Sequence, residues 1–175
     1  MNGISVSWQM LLIKGIPECL IVAWAIHAFT STPVDWKKYL TLAGIYIVST
    51  YLIRFLPITL GINTVLFMFI LILSFQLLYK TGLSMVTPSI IASVVLLICI
   101  ALAELLNVVL LVLLYGREQA EILFRFADEQ VRALYTIPST IFLALFVLAG
   151  SFVFKRIQIA KGKKKDGDAG QATSA

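Results

Sequence analysis

The longest apolar run of the chain covers residues 89–116, and two polar residues, Glu104 and Asn107, interrupt it near its middle. About twenty apolar residues cross the hydrocarbon core of a bilayer, so this run predicts a membrane-spanning helix with residues to spare. A carboxyl group at mid-depth is costly, so we expect Glu104 to face protein, a cavity or a partner and not lipid. We expect the other apolar segments to pack around this helix.

Four further apolar segments predict helices that cross the same layer. The first covers residues 8–29, and Pro17 is expected to kink it or to start it. A helix that started at Gly15 would leave only about fifteen residues, which is marginal for a span. The remaining spans are predicted at residues 39–56, 64–79 and 139–154, with residues 89–116 as the fourth of the five.

Residues 118–134 show a different pattern, in which charged residues recur every three or four positions. Glu121 with Arg125, and Asp128 with Arg132, are pairs spaced four apart on one helix face. Apolar residues take the other face, which predicts an amphipathic helix that lies along the membrane surface or caps the bundle. A six-crossing version with a re-entrant segment in this region stays open.

The composition supports a membrane environment. Apolar residues make up 60% of the 175 residues and charged residues 13%, and the mean hydropathy is +0.97. A soluble domain would expose much of this apolar surface to water, whereas a bilayer solvates it. The predicted fold is therefore all-α, a polytopic integral membrane helical bundle of about five transmembrane helices plus one amphipathic interfacial helix, with the lipid bilayer of the cell membrane as its surroundings.

The basic residues are concentrated towards the C-terminal end. Six of the 14 Lys and Arg residues lie in the last 21 residues and form a membrane-surface basic cluster: Lys155, Arg156, Lys161, Lys163, Lys164 and Lys165. This predicts a basic, disordered cytoplasmic tail at residues 155–175, after a transmembrane domain at residues 1–154. Five spans with the C-terminus inside place nine basic residues inside and four outside, which favours an outer N-terminus.

Five polar residues within or beside the apolar segments are candidates for ligand binding or signal coupling: Lys14, Glu18, Arg54, Glu104 and Asn107. Lys14 and Glu18 share a helix face and can pair. Glu104 and Asn107, three apart, contact a ligand, ion or proton inside the bundle, or they only hold helices together. In the second case the partner of Glu104 is expected to be Lys14, Arg54 or Gln76.

The residues that could perform chemistry do not form a catalytic set. Cys19 and His27 are eight residues apart, about 12 Å along a helix, which is too far for a nucleophile and its base. The sequence contains no HExxH motif, no pair of intramembrane aspartates and no Gly-rich phosphate loop. We therefore expect no enzyme, no catalytic residue, no metal, no cofactor and no nucleic-acid partner. His27, the only histidine, is expected to be a solvated polar tip at the membrane surface.

Three short stretches together resemble a known family. They are residues 14–18 (KGIPE), residues 51–63 (YLIRFLPITLGIN) and residues 122–134, in which ILFRFAD leads through Arg132 towards the last span. They resemble the polytopic membrane sensor region of Firmicutes histidine kinases of the accessory-gene-regulator and sporulation type. The resemblance covers about residues 8–160, and it implies a membrane region that receives a signal, often a peptide, and passes it to a cytoplasmic kinase core.

Such a kinase continues past its last span into a dimerisation helix pair with a phospho-accepting histidine and an ATP-binding domain, whereas this sequence stops at Ala175. We therefore predict a sensor-like or accessory membrane subunit of a bacterial two-component system. It would pass a signal to a separate histidine kinase or other membrane protein partner, and it could form a homo-oligomer. The alternatives are a small transporter or the substrate-binding subunit of a modular importer, and a structural or assembly protein without a ligand.

Overall fold

The computed structural model describes the backbone of residues 11–53, 60–80, 82–125, 131 and 134–172. It describes the side chains of these residues apart from 11, 60–64, 124–125 and 157–172. Every regular element within this part of the chain is helical, which confirms the all-α prediction. A π-helical turn (Leu11–Gly15) leads into α1 (Ile16–Thr30), which is followed by α2 (Trp36–Ile53), α3 (Leu60–Tyr79), a 3₁₀ turn (Leu83–Met85), α4 (Val86–Tyr115), α5 (Arg117–Arg125) and α6 (Ile137–Ala172).

Three stretches are long and apolar enough to cross a membrane: Leu12–Thr30, Leu83–Tyr115 and Ile137–Arg156. They correspond to the first, fourth and fifth predicted spans and identify the chain as a membrane protein. α3 contributes a shorter apolar stretch, Val65–Tyr79, and α2 begins with a pair of lysines in its first turn. The described structure therefore shows three candidate spans where the sequence predicts five.

The α-helix of each candidate span begins with a proline in its first turn. Pro17 is the second residue of α1, Pro88 the third of α4 and Pro138 the second of α6. The first turn has no intrahelical partner for its N–H groups, so the missing N–H of proline costs nothing there, and its ring fixes φ near the helical value. Pro17 thus starts α1 behind the π-helical turn; residues 8–10 of the predicted first span lie outside the described residues.

The most enclosed helix is α1, although α4 is the longest apolar run. α1 packs against α2, α4 and α6. The buried share of the candidate span is 44% for α1, compared with 22% for α4 and 17% for α6. Lipid solvates apolar side chains as well as a protein interior does, so strongly apolar helices can remain at the periphery while a helix with polar groups is enclosed. The expectation that the bundle packs around residues 89–116 is corrected accordingly.

Helices α1 to α4 form a closed ring in which each helix packs against the next and α4 packs back against α1. α6 lies outside this ring and packs against both α1 and α4. α4 turns a face of mainly small and polar residues towards the protein, and large apolar residues such as Leu105 and Leu113 are exposed on its other side. The buried residues of α4 are Ser89, Ala92, Ser93, Leu96, Ala103, Asn107 and Leu111. Small residues allow helices to approach closely within a membrane.

α6 continues as a single helix far beyond its candidate span. It covers 36 residues, which corresponds to about 54 Å. Lys155 and Arg156, where the apolar part ends, are exposed. The backbone is helical as far as Ala172, although the composition of residues 155–172 favours disorder. The division into a transmembrane domain and a disordered tail stays a prediction.

The predicted amphipathic helix is described in its first part as α5. Ala120 is buried, while Glu118 and Ile122 are exposed, so a narrow face of this short helix contacts the rest of the protein. Both predicted ion pairs of this region include side chains outside the described ones.

The closest approach of α1 and α6 depends on Gly150. A Cβ atom at this position would come within 2.8 Å of Cε1 of Phe29. Phe29 is buried and its ring packs against that of Phe154, with 5.1 Å between the centroids. The ring of Phe29 therefore fills the space that a larger residue at position 150 would need.

We expect Gly150→Leu to lower the free energy of unfolding by about 1–3 kcal/mol, because the added side chain must displace Phe29 from a packed interface. Denaturant or thermal unfolding of the purified protein in detergent measures this. The neighbouring Ala149 is exposed, so Ala149→Leu is the matched control. An equal loss of stability in both variants would contradict the packing explanation.

Candidate ligand-binding site

The ring of α1 to α4 surrounds a cavity of about 400 Å³. Its wall is apolar on the α3 side, where Phe67, Met68 and Leu71 line it. Polar groups come from the other elements, and they are Lys14, Glu18, Cys19, Tyr46, Thr50, Ser93 and Glu104. Small-molecule sites in proteins are mostly apolar concavities of about 300–1,000 Å³ with a few polar groups. The cavity has this size and this lining.

An ion pair connects two sides of the cavity. Nζ of Lys14, in the turn before α1, lies 3.6 Å from Oε1 of Glu104 on α4. Of the three partners considered for Glu104, Lys14 makes this contact, and Arg54 lies outside the described residues. The Lys14 side chain is 14% exposed and that of Glu104 59%, so the carboxylate keeps most of its surface accessible to a further group.

A narrow crevice without room for a water molecule lies beside the cavity, between α1, α4 and α6. Glu18, Glu104, Ser139, Thr140 and Leu143 are among its lining residues. Glu18 and Glu104 line both the cavity and the crevice. These two carboxylates therefore stand between the cavity and the first turns of α6.

The charged end of the cavity (Lys14, Glu18 and Glu104) lies beside the first turns of α6. Ser139 and Thr140, which share the crevice with the carboxylates, are the third and fourth residues of the candidate span of α6. Along its own helix, Glu104 lies eleven residues, or about 16 Å, before the end of the candidate span of α4 at Tyr115. The mid-depth position of Glu104 stays a prediction, because the two helices place it at different distances from the ends of their candidate spans.

The five candidate residues from the sequence are only partly brought together. Lys14, Glu18 and Glu104 meet at the charged end. Asn107 is not among the residues that line the cavity; it is 3% exposed, and its Oδ1 atom has no hydrogen-bond partner within the described part of the chain. Arg54 lies outside the described residues.

Ser93 is the cavity residue that sequence reasoning missed. It is 1% exposed, and its Oγ atom has no hydrogen-bond partner in the part of the chain that the structure describes. Ser89, one turn earlier on α4, has both a donor and an acceptor role: its Oγ donates to the carbonyl oxygen of Met85 (2.7 Å) and accepts from Nε2 of Gln76 (3.2 Å). The spacing of Ser89 and Ser93 by one turn within a run of large apolar residues is the sequence signal that marks this face.

On the α2 side of the cavity, the hydroxyl of Thr50 already forms a hydrogen bond. Oγ1 of Thr50 donates to the carbonyl oxygen of Tyr46 (2.8 Å) and lies 3.8 Å from Sγ of Cys19. Cys19 is buried, with 2% of its surface exposed. Among the described residues, no group of three or more His, Cys, Asp and Glu side chains is arranged to hold a metal ion.

His27 is buried at the other end of α1. It is 1% exposed, its Nε2 atom lies 2.7 Å from the hydroxyl of Tyr79, and its ring packs against those of Tyr39, Phe75 and Tyr79. The expected solvated tip is therefore wrong, because aromatic residues of α2 and α3 cover the end of α1. These contacts hold α1 against α2 and α3, and they are separate from the charged end of the cavity.

No family model, curated protein or solved structure matches this chain. The resemblance to the membrane sensor region of histidine kinases therefore stays a prediction.

The two buried serines of α4 make a matched pair of variants. Ser89→Ala removes two hydrogen bonds and is expected to cost about 0.6–1.5 kcal/mol of stability. Ser93→Ala removes a hydroxyl that has no hydrogen-bond partner among the described residues and is expected to be neutral or slightly stabilising. Unfolding of both variants in the same detergent tests this, and a larger loss for Ser93→Ala would show that its hydroxyl is bonded in the folded protein.

The ion pair predicts a measurable coupling between Lys14 and Glu104. A double-mutant cycle with Lys14→Gln and Glu104→Gln is expected to give a coupling energy of about 0.5–1 kcal/mol, at the level of partly exposed pairs because Glu104 is more than half exposed. The same cycle between Lys14→Gln and Glu118→Gln, an exposed residue of α5, is the control and should be additive. Coupling of equal size in both cycles would assign the effect to net charge.

Proposed function

We propose that this protein is a sensor-like membrane subunit of bacterial signal transduction, in which a ligand in the four-helix cavity changes the position of α6. One observation carries the proposal: Glu18 and Glu104 line both the cavity and the crevice beside the first turns of α6. A group that binds these carboxylates from the cavity therefore acts on the wall against which α6 packs.

The continuity of α6 provides the output. The same helix contacts the carboxylate wall near Ser139 and leaves the apolar layer at Lys155 and Arg156 without a break. A straight helix transmits a change of tilt or height over its whole length, since its backbone hydrogen bonds keep it rigid. The switching step is a shift between two packings of α6 on α1 and α4. A ligand drives it only by its difference in affinity for the two packings.

The Lys14–Glu104 pair suits such a switch. A ligand that takes over the accessible carboxylate of Glu104 weakens its contact with Lys14, which connects the turn before α1 to α4. The contact is direct but partly exposed, so its replacement by another partner costs little. α1 and α4 are also the two helices against which α6 packs.

The orientation follows from the distribution of charge. We propose five crossings with the N-terminus outside and the C-terminus in the cytoplasm. α2 and α3, with 18 and 20 residues, extend for about 27 and 30 Å and are long enough to run back and forth between α1 and α4. The charged end of the cavity then lies at the outer side. The basic cluster from Lys155 to Lys165 lies at the inner surface, where each basic residue near anionic lipid contributes about 1 kcal/mol of attraction.

A substrate-binding subunit of a modular importer is the second candidate, and the size and mainly apolar lining of the cavity are the observation that favours it. Such a subunit needs a partner that hydrolyses ATP, whereas a sensor needs a signalling partner. Crosslinking in native membranes followed by mass spectrometry of the co-purified proteins separates the two. A co-purified pair of ATPases would replace the signalling proposal, and a histidine kinase or response regulator would support it.

The coupling itself can be tested without knowing the ligand. Lys155→Cys, in a background with Cys19→Ser and Cys99→Ser, places a single thiol where α6 leaves the apolar layer. We expect Glu104→Gln to change its rate of modification by a membrane-impermeant maleimide about threefold or more, because a shift of one helical residue along the membrane normal moves the thiol by about 1.5 Å across a steep change in hydration.

The matched control is Lys80→Cys in the same background, since Lys80 is exposed just after α3. Its rate should not respond to Glu104→Gln. Unchanged rates at both positions would refute the coupling of the cavity to α6, and equal changes at both would indicate a general loosening of the bundle.

A further inference from the structure

We propose that the cavity binds a neutral, unbranched chain molecule with a polar group at each end, one of which is a hydrogen-bonding oxygen that meets Ser93. The chain lies between the charged end of the cavity and its other end at Ser93, the Ser93 end. This ligand class is assigned to the site on which the proposed function rests. Binding of such a molecule can be measured whether or not it moves α6.

Ser93 favours a ligand with a hydrogen-bonding atom. It lines the cavity, and its buried Oγ atom has no hydrogen-bond partner in the part of the chain that the structure describes. Most buried hydroxyls in proteins have such a partner. The hydroxyl of Ser89, one turn earlier on α4, is satisfied by Met85 and Gln76. A serine hydroxyl both donates and accepts, and rotation about χ1 turns it towards a new partner. A ligand oxygen at the Ser93 end completes it.

The surroundings of the Ser93 end favour a neutral group. Val22 and Leu96 line the cavity, and each lies eight residues along the chain from Lys14 and Glu104 respectively, about 12 Å along a helix. Val22, Ser93 and Leu96 all lie within stretches that are described without a gap. An ionised group among such apolar side chains loses its hydration and gains no adjacent counter-charge. The ligand atom that meets Ser93 is therefore uncharged.

The shape of the cavity selects a single chain. Ser93 and Glu104 both line it and are eleven residues apart on α4, which corresponds to about 16 Å along the helix. A volume of about 400 Å³ spread over this length gives a mean cross-section of about 25 Å². Carbon atoms in contact lie about 4–4.5 Å apart, so one extended hydrocarbon chain needs roughly 16–20 Å² and two need roughly twice as much. The cavity therefore has room for one chain and not for two.

The second polar group of the ligand meets the Lys14–Glu104 pair. The distance of 3.6 Å between Nζ and Oε1 is longer than a hydrogen bond between nitrogen and oxygen, which is about 2.7–3.2 Å. A carboxamide has both N–H donors and a carbonyl acceptor, so it can donate to Glu104 or accept from Lys14. It adds no charge, and its fit is therefore independent of the total charge of the wall.

The test uses the full chain in nanodiscs of phosphatidylcholine and two tritiated probes, ω-hydroxydecanamide and decanamide, which differ only in the terminal hydroxyl. The amide nitrogen and the hydroxyl oxygen of the extended first probe are about 14 Å apart, from C–C bonds of about 1.5 Å. Equilibrium dialysis is expected to show saturable binding of ω-hydroxydecanamide, one molecule per chain, above that of empty nanodiscs. No saturable binding would overturn the proposal.

Two serine variants isolate the contact with Ser93. Ser93→Ala is expected to weaken binding of ω-hydroxydecanamide about threefold or more, the range of one net hydrogen bond, and to leave binding of decanamide unchanged. Partitioning into the bilayer cancels, because each probe is compared with itself. Ser89→Ala, whose hydroxyl is bonded within the protein, is the matched control and should leave both affinities unchanged.

Two outcomes of this comparison would refute the oxygen at the Ser93 end. One is equal weakening of both probes by Ser93→Ala. The other is equal affinity of both probes for the unmodified protein, which would show that the cavity takes a plain hydrocarbon tail, such as that of a membrane lipid.

A further measurement covers the case in which a serine variant fails to fold. In Cys99→Ser protein, Cys19 is the only thiol and lines the cavity, and N-ethylmaleimide reports on access to it. ω-Hydroxydecanamide should slow its modification, whereas adamantane carboxamide, with the same amide on a wide cage, should not. No protection by the bound chain, or equal protection by the cage, would overturn the assigned site. Saturable binding with an unchanged modification rate in Lys155→Cys protein would leave the ligand class standing and refute the sensor function alone.

Discussion

The structure depends on enclosing one polar helix within a solvent that cannot hydrate it. α1 and the turn before it carry Lys14, Glu18, Cys19, His27 and Thr30 within a single candidate span. Each of these groups needs a partner, because an unpaired polar group in hydrocarbon costs several kcal/mol. The surrounding helices provide them: Glu104 for Lys14, Thr50 for Cys19 and Tyr79 for His27. The packing of α2, α4 and α6 against α1 is the consequence of this requirement.

The same requirement explains where the bundle is tight and where it is open. Around His27 and Phe75 the aromatic rings pack at 4.9–5.3 Å between centroids, and Gly150 brings α6 against Phe29. At the other end of α1 the charged side chains need room and access to water, and there the helices leave a cavity. The bundle is therefore closely packed at the His27 end of α1 and open at the charged end.

A site that is not fully satisfied has a cost in stability. The buried hydroxyl of Ser93 has no hydrogen-bond partner among the described residues, and the side chain of Glu104 is more than half exposed. Selection for stability alone would favour a small apolar residue in place of Ser93 and a larger apolar residue in place of Glu104. The presence of both groups at one cavity favours a ligand-binding interpretation over a purely structural one. Functional sites commonly depart from local rules in this way.

The class of the protein can be inferred from the sequence alone. The long apolar runs, with a proline in the first turn of the α-helix of each candidate span, are local properties of the chain. They led to an all-helical membrane protein and to Lys14, Glu18 and Glu104 as candidates. A hydropathy pattern also predicts α2 and α3 as spans, but it registers only length and composition and does not separate a crossing from a shorter apolar helix.

Which helix is central and which polar groups meet depend on how whole helices pack. Apolar content indicates what lipid can solvate, so the most apolar segment was a poor guide to the centre of the bundle. Glu104 could pair with Lys14, Arg54 or Gln76 by charge or hydrogen bonding alone. Among the described residues, the packing of α1 on α4 brings Lys14 to Glu104, while Gln76 bonds Ser89. His27 and Ser93 have unremarkable neighbours in sequence, and their burial depends on residues more than ten positions away. Contacts between distant segments are set by how whole helices pack, which no local pattern specifies.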